Sequence, residues 1–157
     1  MTEAEFIEWC DEDTWAEWVD GEVIMASPAS LKHVDLAGFL LIVLRIYATQ
    51  RNLGSVFGPE FQVRLGRLRR RRVPDLLFVS KDRLNLLTAN HLEGAPDLVV
   101  EIVSPDSVAR DWREKYLDYE AAGVREYWVI DPPAQRMEAY ALDENGHFAR
   151  IEEQESA

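Results

Sequence analysis

The sequence predicts an α/β fold in which helices flank a mixed sheet, and three features predict it. Leu31 to about Arg51 repeats its apolar residues (Leu36, Phe39, Leu40, Val43, Leu44, Tyr47) at helical spacing. Short β-rich runs bounded by turn residues fill most of the rest. A second amphipathic helix follows the most apolar of those runs, 98–103. Alternation of both element types through 157 residues fits one domain, expected to span residues 1–157.

The elements follow in order. Thr2 with Glu5 reads as a capping box opening a short helix from Glu3 to about Asp11. Asp20-Gly21 between Trp15–Val19 and Glu22–Met25 signals a tight hairpin. Ser30 can cap the long helix, and Asn52-Leu53-Gly54 ends it. Strands are expected at 55–57 and 61–65, a basic turn at 66–72, and a strand at 73–79. Residues 80–95 read as irregular, with room for one helical turn. The strand at 98–103 stops at Ser104-Pro105, and Asp106 or Ser107 caps a helix to Ala122 with Gly123 as its stop. Strands at 127–130, 136–142 and 147–152 complete the chain.

Composition bounds the function classes. Apolar residues make up 47% and charged residues 29%, the balance of a globular protein. The single cysteine, Cys10, excludes an internal disulfide and a Cys-based zinc site. No basic n-region with an apolar h-region opens the sequence, so no signal peptide is expected, and the longest apolar run, Phe39 to Leu44, is too short to span a bilayer. A cytoplasmic location without membrane contact is the expectation. The net charge of -12 argues against broad nucleic-acid binding through many basic contacts. The basic charge is instead focused, with five arginines in residues 67–72.

Two carboxylates stand out. Glu101 interrupts an otherwise apolar strand, and a carboxylate there is paired with a cation, bound to metal or functional. Asp75 follows Pro74 at the start of a strand, with Leu77 and Val79 on its face. Alone it reads equally well as a turn cap. Lys115 shares the inward helix face of Trp112, Tyr116 and Tyr119, where a lysine can also simply snorkel. Together the three have a chemical meaning. Two hard oxygen ligands on adjacent strands suit Mg²⁺, with Mn²⁺ as a substitute. A metal there can polarise a phosphodiester and activate water, while a nearby lysine orients or deprotonates that water or stabilises developing charge.

The segments Val73-Pro74-Asp75, Gly94 through Glu101 to Pro105, and Lys115 through Gly123 to Pro132 resemble the PD-(D/E)xK nuclease superfamily. More narrowly they resemble its Uma-two family of restriction-endonuclease-like proteins, over nearly the whole chain. The resemblance implies a restriction-endonuclease-like core and a Mg²⁺-dependent endonuclease acting on DNA. It implies Asp75 and Glu101 as metal ligands. The superfamily's lysine position, two after the glutamate, holds Val103 here, so the lysine is expected from the next helix, as Lys115. The resemblance also offers Glu22 as an additional acidic site residue and His33 as a contact to phosphate or water. Arg69, Arg70, Arg71 and Arg72 would hold DNA phosphates beside the metal, unless they form only a solvated turn. A homodimer with one site per strand is the expected assembly, its surface supplied by the C-terminal hairpin or the Trp-rich N-terminus. The rival reading is a non-catalytic module of the same fold binding nucleic acid or a protein. A weaker one is a hydrolase of another phosphate ester.

Overall fold

The computed structural model describes residues 1–105, 107 and 110–151. Helix α1 spans Glu3–Trp9, and its capping box is formed as expected, Thr2 and Glu5 each accepting from the other's backbone N–H. Strands β1 (Ala16–Val19) and β2 (Glu22–Met25) pair through Asp20-Gly21, both at positive φ. That is the backbone a two-residue hairpin with right-handed twist requires. Helix α2 spans Leu31–Gln50, its first turn capped by the Ser30 side chain.

Strands β3 (Gly54–Phe57) and β4 (Gln62–Leu65) follow. The basic stretch is more than a turn: after one 3₁₀ turn it contributes strand β5 (Arg70–Arg72). Strand β6 is Leu76–Ser80. The stretch expected to be irregular holds a 3₁₀ segment, Lys81–Leu86, and a short strand β7, His91–Glu93. Strand β8 (Leu98–Ile102) leads towards a π-helical turn, Arg110–Glu114, and helix α3, Lys115–Ala122. Gly123 ends α3 in the left-handed region, as expected. Strands β9 (Glu126–Asp131), β10 (Arg136–Leu142) and β11 (Phe148–Arg150) form the terminal meander. Asp106 and Glu152, expected as a cap and a strand end, lie outside the described residues.

The strands form two mixed sheets. One has the order β2-β1-β5-β4-β7, the other β11-β10-β9-β8-β6-β3. Among the described strand pairs only β4·β7 and β8·β9 are parallel. Alternation along β6 and β8 divides the core. Leu76, Phe78, Val100 and Ile102 pack under Leu36, Leu40, Leu41 and Leu44 of α2. Leu77, Val79, Val99 and Val103 face the other way, onto Val63, Leu65, Leu92 and Tyr119. The six-stranded sheet is therefore covered by α2 on one face and by the second sheet with α3 on the other. No described helix is long and apolar enough to cross a membrane.

Gly54 carries the tightest junction. It sits at φ +151, and a Cβ there would lie 2.1 Å from the Val79 carbonyl oxygen and 2.8 Å from Ser80 Cα. The neighbour is backbone in a ladder and cannot swing away. Gly54→Ala is expected to cost about 1–3 kcal/mol. Chemical denaturation checks this, and wild-type stability in the variant would refute the close approach.

Candidate active site

The antiparallel pairing of β6 and β8 brings the two carboxylates together. Its last register pair is Leu76 with Val100, so one step further Asp75 comes opposite Glu101. Directly opposed residues have Cβ atoms about 4.5–5.5 Å apart. Asp75 is anchored at that step, because its Oδ2 accepts from the Ile102 backbone N–H at 2.7 Å. Its Oδ1 meets His33 Nε2, from the first turn of α2, at 2.8 Å. That bond raises the pKa of His33 above its ordinary value despite partial burial.

Glu101 points away from α2, towards α3. Its Oε1 lies 3.0 Å from Lys115 Nζ and accepts from the Tyr119 hydroxyl at 3.0 Å. Lys115 is the hub, with Asp111 Oδ1 at 3.3 Å and Glu17 Oε1 at 3.5 Å. All four groups are buried. Position 103, where the superfamily places its lysine, is a core valine, and Lys115 reaches Glu101 from the helix instead.

The carboxylates of this cluster differ electrostatically. Burial drives the Glu101 carboxyl well above the usual range; Lys115 opposes this, while Asp111, Asp75 and Glu17 add to it. Burial also raises Asp111, against the pull of Lys115 and Ser107. Burial pushes Glu17 the same way, but Lys115 and Arg72 overcome it and hold that carboxyl below its ordinary value. For Lys115, burial favours the neutral amine, and the three carboxylates outweigh it, so the ammonium is held protonated. A protonated amine cannot act as a base.

Glu22 is exposed at the start of β2 and, among the described residues, makes no ion pair with this cluster. The acid that this hairpin brings to the Lys115 cluster is Glu17, on its other strand, which faces inward. Its signal was in the sequence: a lone charge between Ala16 and Trp18-Val19, the same anomaly that marks Glu101. Asp111 was also detectable, four residues before Lys115 on one helix face.

The arginines require a larger correction. Arg72 is 1% exposed and binds Glu17 Oε2 at 2.8 Å and Asp118 Oδ2 at 2.6 Å. Arg71 is buried against Glu3 and Gln62, and Arg70 pairs with Asp20 and Asp118. Of residues 69–72 only Arg69 is exposed. As an inner strand between β1 and β4, β5 directs its guanidinium groups to acids of α1, β1 and α3 rather than to solvent.

The donor set fits a hard divalent cation. Mg²⁺ is usually held by one or two carboxylates with waters and substrate oxygens completing the shell. Asp75 and Glu101 supply two, while Asp111 Oδ1 is taken up by the Lys115 ammonium at 3.3 Å. Among the described residues no group of three or more His, Cys, Asp or Glu side chains is placed to hold a metal ion.

The sequence profile described as "Uma2: Putative restriction endonuclease" matches residues 3–156. The chain belongs to the Uma2 family. Among solved structures, this Uma2 chain is similar to "a putative nuclease belonging to DUF820 from Anabaena variabilis". The TM-score is 0.82 at 22% identity, over 99% of this chain and 87% of that one. At that identity the likeness shows a shared fold. A search of curated proteins found no match.

Proposed function

We propose that the chain is a metal-dependent endonuclease that hydrolyses DNA phosphodiester bonds. The observation carrying this reading is the opposition of Asp75 and Glu101 on adjacent strands, with the Lys115 ammonium 3.0 Å from Glu101. These carboxylates would hold Mg²⁺ or Mn²⁺. A bound cation supplies Lewis acidity towards a phosphoryl oxygen and lowers the pKa of water. Lys115 works as a fixed positive charge, orienting the attacking water and stabilising charge that develops on phosphorus oxygens. His33 orients the Asp75 carboxylate, and Glu17 with Arg72 fixes Lys115.

The test is nicking of supercoiled plasmid by purified protein. Mg²⁺ or Mn²⁺ should support it and EDTA should stop it. Absence of cleavage of DNA or RNA with either ion would overturn the reading. A second reading, a non-catalytic module, is favoured by the net charge of -12 and the burial of Arg71 and Arg72, which leave little basic surface to grip a duplex. Calorimetry separates the two, since a module without catalysis has no need of a Mn²⁺ site.

A further inference from the structure

Helix α2 is apolar on both faces. One face packs on the six-stranded sheet through Leu36, Ala37, Leu40, Leu41, Leu44 and Ala48. Around the rest of its circumference Leu31, Phe39, Ile42 and Ile46, flanked by Val34 and Tyr47 at the edges of the packed face, are between 50% and 85% exposed. A helix that is hydrophobic all round belongs in an interior. Six side chains of this size, half or more bare, present on the order of 700 Å² of largely apolar surface. The largest patch on a typical monomer is roughly 300–600 Å², and one partner of a standard interface covers about 800 Å².

We propose that this face is a self-association surface, on which α2 of a second copy of the chain packs antiparallel about a two-fold axis near residue 40. The inference is independent of the nuclease reading. Three features favour a second copy. The exposed area matches one side of a dimer interface. Gly38 lies within the face, and no atom approaches within 4 Å of where its Cβ would be. An antiparallel two-fold pair brings Ile42 of each copy level with that open position on the other, allowing close helix approach. The charges also match: Asp35 is the only acid of α2, and the same symmetry sets it level with Arg45 of the other copy. A membrane surface fits less well, because α2 carries only Lys32 and Arg45 as full cations and the chain is strongly acidic.

Sedimentation equilibrium of the full chain tests the proposal. The wild type should weigh twice the 18.1 kDa of one chain at micromolar concentration. Ile42→Glu and Phe39→Glu alter exposed positions, so each should keep the wild-type circular dichroism spectrum. Each should weaken self-association by about 30-fold or more. A monomeric wild type overturns the proposal. So does a dimer that persists in both variants, which would move the interface elsewhere. Binding of the wild type, but not Ile42→Glu, to anionic lipid vesicles without self-association would assign the face to membranes instead.

Discussion

Asp75→Ala is expected to reduce metal-dependent plasmid nicking by roughly 10³-fold or more, the scale on which an electrostatic catalytic group acts. The reason is geometric. Asp75 sits one register step past the β6–β8 ladder, opposite Glu101, with its side chain 19% exposed. It alone of the pair reaches solvent, so it would receive substrate and metal while Glu101 supports them from inside. The substitution removes two hydrogen bonds, from Ile102 N–H and with His33. The first costs about 1–3 kcal/mol of stability, less than unfolds a domain. The variant should therefore remain folded and lose the Mn²⁺ affinity seen by calorimetry. Retained nicking in a folded Asp75→Ala protein would remove Asp75 from the site.

Lys115→Met should have the largest effect on stability. Three carboxylates lie within 3.5 Å of Lys115 Nζ, and none of Glu101, Asp111 and Glu17 is more than 7% exposed. Removing the ammonium leaves Glu101 and Asp111 without a cation and Glu17 with Arg72 alone, a loss of about 3–5 kcal/mol. At roughly 2–4 °C per kcal/mol for a chain of this size, Tm should fall by about 6–20 °C. The pH dependence has a definite sign. Carboxylates whose folded pKa exceeds the unfolded value make folding unfavourable above the unfolded value. Glu101 is already in that condition, and its ordinary value is 4.5. Acidification from pH 7 towards 4.5 should therefore restore stability to Lys115→Met. Adding Glu101→Gln should recover part of the loss at pH 7, which a double-mutant cycle would measure. A variant as stable as the wild type at pH 7 would show that the cluster is not the hub described.

Much of the fold was legible because its signals are local. A capping box, an Asp-Gly turn, a serine cap and a C-terminal glycine each act within four residues, and each formed where expected. Strands β5 and β7 were missed because neither has a local signature. Each is three residues long, and β5 is all arginine. They exist because β4 lies between them with open edges.

The sequence by itself determined that Glu101 is functional or paired, since an apolar strand has no other use for a charge. The same rule, applied to Ala16-Glu17-Trp18, would have found Glu17 in place of Glu22. The tertiary structure alone decided what the arginines do. Arg72 binds acids 46 and 55 residues away, and Arg71 binds one 68 residues away. A run of like charges reads locally as a solvated surface. It becomes an interior scaffold only when distant parts of the chain bring carboxylates to it. The same convergence, of β1, β8 and α3 on one point, turned three separate charges into a cluster around Lys115.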